Sequence, residues 1–232
     1  MNADADANAD DLAACLARHQ MELDSSRVAL LDRYCQALWE WNAKINLTRH
    51  TDYEKFVGRD LHDSLIFARH LEQGEKILDV GTGGGVPGVL LAILRPDLLV
   101  WLSESVGKKA RAVADIVERL GLNVPVLEGR AEDLLGPATF NTLVVRAVAP
   151  LVKLLRWLRP HWASFDRLLV LKGAAWVEER GEARHGGVLK TLALRKLMSY
   201  PLPGTDAEGV LLQLCPKDRL RDGKNCRLRP LR

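Results

Sequence analysis

The chain lacks any apolar run long enough to cross a bilayer, which excludes a membrane-spanning helix from its expected make-up. Its first residues, MNADADANADD, hold no basic segment followed by an apolar one, so no secretory signal is expected there. It also lacks cysteines at ligand or redox spacing. Cys15, Cys35, Cys215 and Cys226 are scattered, form no CxxC and join no histidine cluster. Reduced, unpaired thiols in a cytosolic protein are therefore expected, and a metal site is not. No internal repeat is visible, and no nucleophile–base dyad stands out. What remains is a chain of 232 residues, long enough to bury a sizeable core and sized for one main domain with a small addition.

The formal net charge of +3 hides an asymmetry. Residues 1–11 carry four aspartates and no base, so the rest of the chain carries +7. The tail holds Lys217, Arg219, Arg221, Lys224, Arg227, Arg229 and Arg232 against Asp218 and Asp222. Such an excess suits a polyanion such as RNA, and it equally suits a solvated tail.

Residues 1–11 read as a disordered acidic tail. Residues 12–73 read as a helical region. Ser25 or Ser26 can cap a helix in which Val28, Leu31, Cys35 and Leu38 recur at spacings of three and four, ending near Asn42. A second helical stretch is expected over Glu54–His70. From 74 to 216 the pattern alternates. Strands are predicted at Lys76–Val80, Leu98–Leu102, Val124–Leu127, Leu143–Val145 and Leu168–Leu171. Helices are predicted at Gly88–Leu94, at Gly107–Leu120 with Gly121 as its stop, and from Pro150 to about Leu158. Leu192–Tyr200 and Val210–Cys215 read as a closing hairpin, and 217–232 as a basic tail. The fold class expected is α/β and Rossmann-like, a mainly parallel sheet with a C-terminal antiparallel hairpin behind a small helical region. That is the shape of a class I methyltransferase.

The run DVGTGGGVPG, Asp79–Gly88, sits between the first strand and its helix. Gly83, Gly85 and Gly88 satisfy GxGxxG, a weak signal for a nucleotide cofactor that a dinucleotide dehydrogenase shares. Asp79 tilts the reading. A carboxylate before the turn can hold the ammonium of a methionine moiety, whereas a pyrophosphate there would be repelled. Glu104, ending the second strand, can accept hydrogen bonds from ribose hydroxyls, but NAD sites use an acid there too. S-adenosyl-L-methionine is the favoured cofactor.

Several stretches occur together: WNAKINLT (Trp41–Thr48 for its WNAKINLT run), DSL (Asp63–Leu65), LDVGTGGGVPG (Leu78–Gly88), ESVGKKA (Glu104–Ala110), GRAED (Gly129–Asp133), RAVAPL (Arg146–Leu151) and LKG (Leu171–Gly173). In this order, over roughly Trp41 to Gly173, the chain resembles the ribosomal RNA small subunit methyltransferase G family, also called glucose-inhibited division protein B. The resemblance implies a cytoplasmic, S-adenosyl-L-methionine-dependent enzyme that methylates N7 of a guanine in the 530 loop of 16S rRNA, on naked RNA or on the small ribosomal subunit. It implies that Gly81 and Val86 line the cofactor site and that Glu104, Ser105 and Val106 meet the ribose and adenine. Ala131 and Glu132 would sit by the adenine, and Arg146 beside the cofactor. Two positions depart from the pattern. The family usually has Asp where Glu104 stands, and commonly His where Asp60 stands.

The chemistry agrees. Guanine N7 has an exposed lone pair and no proton, so no general base and no catalytic side chain is needed. Cytosine C5 methylation would require a thiolate, and no cysteine ends a predicted central strand. Amine methylation usually uses an Asn/Asp-Pro-Pro-aromatic motif where this chain reads Val145-Arg146-Ala147-Val148. Lys108, Lys109, Arg130 and Lys172, at helix starts and strand ends, are candidate RNA contacts. Trp39 and Trp41 read as core rather than stacking platforms. The alternatives are a small-molecule methyltransferase and a non-catalytic RNA-binding protein of the same fold.

Overall fold

The central strands of this chain are nearly continuous apolar runs, which is what a sheet covered on both faces requires. The computed structural model describes residues 11–202, 207–221, 225, 226, 228 and 229. The strands are β1 (Lys76–Val80), β2 (Leu99–Glu104), β3 (Val126–Glu128), β4 (Phe140–Arg146), β5 (Phe165–Lys172), β6 (Leu192–Pro201) and β7 (Glu208–Pro216). They form one sheet in the order β3-β2-β1-β4-β5-β7-β6. β1 to β5 pair in parallel, and β7 runs antiparallel between β5 and β6. A short pair, β8 (Leu220–Arg221) and β9 (Asn225–Cys226), follows.

Side chains alternate across the sheet with period two. Ile77, Val144, Leu169 and Leu211 face one core; Leu78, Leu143, Val145, Leu168, Val170 and Leu212 face the other. The first core is closed by α1 (Leu12–Arg18), α2 (Ser25–Asn42), α3 (Tyr53–Lys55), a π-helical segment Phe56–Leu61, α4 (His62–Ala68), α5 (Gly88–Leu94) and α6 (Gly107–Leu120). The second is closed by α7 (Ala131–Leu134), α8 (Leu151–Leu158) and α9 (Trp176–His185). The N-terminal helices therefore share a hydrophobic core with the sheet.

Helix starts and stops explain where the sequence reading holds and where it slips. β1, α5 and α6 have the expected bounds, and Gly121 ends α6 in the left-handed conformation at φ 67°. The α2 cap is Asp24, whose carboxylate accepts from Arg27 N at 2.9 Å, rather than Ser25 or Ser26. A carboxylate one residue earlier also pairs with the Arg27 guanidinium, which a serine cannot do. The helix expected over Glu54–His70 is broken by the π turn at 56–61 and ends at Ala68. Sequence patterning missed α1, capped by Asp11, and α9. The rest of the expected acidic tail lies outside the described residues. No described helix is long and apolar enough to cross a membrane.

Candidate cofactor and acceptor site

The chain leaves β1 on one side of the sheet and β4 on the other, so the crevice at their C-terminal ends is the topological switch point where open α/β sheets bind ligands. The Asp79–Gly88 run turns there. Gly81 N and Thr82 N both donate to Ser103 O, at 2.9 and 3.0 Å, which docks the turn on β2. The underside is held by the N-terminal helices: Tyr34 Oη donates to Gly84 O at 2.9 Å, and a Cβ at Gly84 would meet Leu38 Cδ1 at 2.9 Å. Asn42 Oδ1 accepts from Leu47 N and Thr48 N, fixing the loop that carries Leu47 against Gly84.

Gly83 and Gly88 are glycines for opposite reasons. Gly83 has φ 61° and nothing within 4 Å of where a Cβ would lie, so the space above it is open. Gly88 is closed: a Cβ would collide with Leu102 Cδ2 and approach Asp79 Oδ2 to 2.7 Å. That close approach lets Gly88 N donate to Asp79 Oδ2 at 2.8 Å.

Asp79 is 1% exposed. Its Oδ2 accepts from Thr82 Oγ1 at 2.6 Å and from Gly88 N, while its Oδ1 is buried without a partner among the described residues. Burial pushes the carboxyl up to about 6, against the two hydrogen bonds, which favour the charged form. An orphaned buried carboxylate oxygen is costly unless a ligand completes it.

Glu104 is also buried, and it bridges the site. Its Oε2 accepts from Gly83 N at 3.0 Å and its Oε1 from Val106 N at 2.8 Å. Each oxygen keeps a second lone pair. Glu104 O accepts from Gly129 N at 2.9 Å, which brings β3 and the start of α7 alongside. Gly81, Gly83, Glu104, Ser105 and Val106 thus meet at the C-terminal ends of β1 and β2, and Ala131 and Glu132 open α7 just after β3. Gly85 and Val86 lie beneath the crevice: a Cβ at Gly85 would strike Val89 Cγ2 at 2.6 Å, and Val86 packs on the first core. Ser105 and Val106 are exposed, Ala131 is buried and Glu132 half-buried.

Arg146 ends β4, and its partners were invisible in the sequence. Nε donates to Asp63 Oδ2 at 2.9 Å, and Nη2 lies 2.6 Å from Asp60 Oδ1. Burial opposes its charge, but the two carboxylates outweigh burial and hold its pKa above the ordinary value. Asp60, the departure from the family pattern, also has His50 Nδ1 2.9 Å from its Oδ2. Tyr200 Oη donates to Asp63 Oδ1 at 3.1 Å, and its ring lies 5.4 Å from that of His62. Burial lowers the His62 pKa.

The candidate RNA contacts separate. Lys108 is exposed and Lys109 half-buried in the first turn of α6, and Arg130 is exposed before α7. Lys172 is committed: its Nζ donates to Ala149 O at 2.6 Å and pairs with Glu179 Oε2 at 2.7 Å. In the tail, Arg229 and Arg219 pair with the fully buried Asp166 at the start of β5, the sheet edge remote from the crevice. Lys224, Arg227 and Arg232 lie outside the described residues. The indoles of Trp39 and Trp41 donate to His50 O and Asp115 Oδ2, so both serve packing. All four cysteines are buried and none is in a disulfide. Among the described residues no group of three or more His, Cys, Asp or Glu is placed to hold a metal ion.

The family described as rRNA small subunit methyltransferase G matches residues 27–197. The chain is 52% identical over 216 residues to "Ribosomal RNA small subunit methyltransferase G" of Rhodopirellula baltica, covering 86% of this chain and 94% of that one. It is 36% identical over 200 residues to the protein of the same name from Chromobacterium violaceum, covering 86% and 93%. Among solved structures, M. capricolum TrmK in complex with S-adenosyl-homocysteine superposes with a TM-score of 0.53 at 12% identity, over 70% of this chain and 71% of that one. At that identity the likeness is one of fold.

Proposed function

The chain belongs to the rRNA small subunit methyltransferase G family, and from that premise we propose that it transfers a methyl group from S-adenosyl-L-methionine to N7 of a guanine in the 530 loop of 16S rRNA. The observation that carries the cofactor assignment is the pairing of two buried acids around the glycine turn. Asp79 offers an unpartnered Oδ1, and Glu104 offers free lone pairs beside the open space at Gly83. A nucleoside amino acid carries what both need, an ammonium for Asp79 and ribose hydroxyls for Glu104. Val106, 42% exposed beside Glu104, presents apolar surface for an adenine, with Ala131 and Glu132 along its edge. When bound, the cofactor supplies an electrophilic methyl group.

The side chains have a positioning task. Guanine N7 needs no deprotonation, so the residues must hold its lone pair in line and keep water out. Such orientation is worth effective molarities of about 10⁵–10⁸ M. The buried state of the four thiols supports a mechanism without a covalent cysteine adduct. Lys108 and Arg130, both exposed, and the half-buried Lys109 are the bases offered to RNA phosphates in this reading, whereas Lys172 is engaged with Glu179.

Incubation with methyl-labelled S-adenosyl-L-methionine and 30S subunits or naked 16S RNA, followed by nucleoside analysis, is expected to place the label in 7-methylguanosine. Label in another nucleoside, or in none, would overturn the assignment.

Cofactor affinity carries a pH signature. A ligand ammonium favours ionised Asp79, whose pKa stands at about 6. Acidification through that value protonates the carboxyl and removes the attraction. Calorimetry is expected to show a constant Kd from pH 7.5 to about 6.5. Below pH 6 it should weaken by up to about tenfold per unit. Asp79→Asn should bind weakly at every pH and lose the slope.

A further inference from the structure

A second cavity adjoins the crevice and has no assigned occupant. It is a cleft of about 360 Å³ lined by Arg59, Asp63, Arg146, Lys172, Glu179 and Tyr200, among others. Its volume lies at the lower end of small-ligand sites and suits one nucleotide-sized group. The segment 146–149 separates it from the glycine turn, since a Cβ at Gly81 would sit 3.0 Å from Val148 Cγ2. Ala147 in that segment has φ 55°, a rare conformation for a residue with a side chain, held at the meeting of the two cavities.

The cleft's polar groups are fixed, and two still have unused bonding capacity. Glu179 Oε2 accepts from Leu151 N at 2.6 Å and from Lys172 Nζ. Its Oε1 has no partner among the described residues. Arg146 uses Nε on Asp63 and Nη2 on Asp60, which leaves Nη1 without a protein partner there. The cavity therefore presents one anchored carboxylate acceptor and one anchored guanidinium donor. Arg59, half-buried and unpaired among the described residues, stands beside them as a cation for a phosphate.

Guanine matches this set. Its O6 accepts, its N1–H and N2 amino group are adjacent donors, and N7 lies on the other edge. Adenine offers an acceptor at N1 where guanine offers a donor, and so opposes a carboxylate. We propose that the cleft is the acceptor-base subsite and that Glu179 Oε1 selects guanine through its N1–H and N2 amino edge, with Arg146 Nη1 on O6. The proposal rests on the methyltransferase reading above and assigns its acceptor. Glu179 is held by α8 and Lys172, so its carboxylate meets the base without first being ordered.

The test compares guanosine with inosine at the target position in reconstituted 30S subunits, for the wild-type protein and Glu179→Gln. A hydrogen bond to a charged group is worth about 1.5–3 kcal/mol, or roughly 10- to 150-fold. Inosine lacks the N2 amino group, and the wild type is expected to lose 10- to 100-fold in kcat/KM on it. Glu179→Gln should lose a similar factor on guanosine and a smaller one on inosine, which keeps only the N1–H contact. Its melting temperature and its Kd for S-adenosyl-L-methionine should stay near wild type. Equal wild-type transfer to inosine and guanosine, losses that multiply, or a parallel loss of cofactor affinity in Glu179→Gln would each overturn the subsite. Because guanosine and inosine can be compared on the wild-type protein alone, misfolding of the variant cannot mask that result. Absence of 7-methylguanosine from the unmodified substrate would overturn the function on which the subsite depends.

Discussion

Glu104→Ala is expected to weaken S-adenosyl-L-methionine binding by about 100-fold or more. The carboxylate is 6% exposed and joins Gly83 N to Val106 N, so it sets both the glycine turn and the start of α6. Alanine leaves two amides without their acceptor and removes the groups that would receive the ribose hydroxyls. Each hydrogen bond to a charged group contributes about 1.5–3 kcal/mol, and two of them suffice for a loss of 100-fold or more. Glu104→Gln should lie between alanine and wild type, because one oxygen still accepts while the amide nitrogen cannot. Calorimetric titration measures both, with thermal melting to establish that the variants are folded. An alanine variant that binds within threefold of wild type would place the cofactor away from this crevice.

Glu104 and Asp79 stand out in the sequence because one ends an apolar strand and the other is next to last in one, and strand ends in a parallel sheet are where a ligand meets the fold. The same local logic gave β1, α5 and α6, whose ends are written in Pro96, Gly107 and Gly121. Local logic fails where the partner is remote in sequence. Arg146 reads as a free strand-end cation until Asp60 and Asp63, more than eighty residues earlier, close on it. Lys172 likewise reads as free until α9 brings Glu179 to it. α9 itself, WVEERGEARH, is mostly polar, carries Gly181 in its interior and buries little beyond Ala183. Its periodicity is too weak to announce a helix. The cleft beside Arg146 is not legible for the same reason: its walls come from the π turn, α4, β4, β5, α9 and β6, and no single stretch signals it.

Asp60 shows what a carboxylate beside a strand-end arginine means physically. A carboxylate at this position gives Arg146 a second anion, so the group Asp60–Arg146–Asp63 carries more negative than positive formal charge beside the cleft. A methyl transfer from a sulfonium to N7 moves positive charge onto the guanine. With Arg59, Lys172 and Glu179 also at the cleft, Asp60 brings its formal charges into balance, so the arriving charge is not opposed as it would be by an unpaired Arg146. The pairing thus turns a strand-end arginine from an electrostatic obstacle into a shaped donor.

Glu75→Ala is expected to lower stability by about 3–5 kcal/mol while leaving cofactor affinity unchanged in the folded fraction. Glu75 and Arg167 are 3% and 7% exposed at the N-terminal edge of the sheet. Arg167 Nη2 donates to Glu75 Oε1 at 2.5 Å and to His70 O at 2.8 Å, and its Nε donates to Thr142 Oγ1 at 2.9 Å. Thr142 in turn donates to Glu75 Oε2, and Glu72 N to Oε1. The network ties the entry to β1 to β4, β5 and, through Gln213, β7. Alanine leaves the Arg167 guanidinium buried and uncompensated, which is the costly way to break such a pair. In a domain of this size the loss corresponds to roughly 6–20 °C in Tm. Removing both charges, as Glu75→Leu with Arg167→Met, should recover much of it, because the penalty comes from the orphaned charge rather than from the missing attraction. The span from Glu75 to Asp79 is about 13 Å of strand, so the cradle lies at the far edge. A Glu75→Ala variant that loses cofactor affinity in proportion to its stability would show that the two edges of the sheet are not independent.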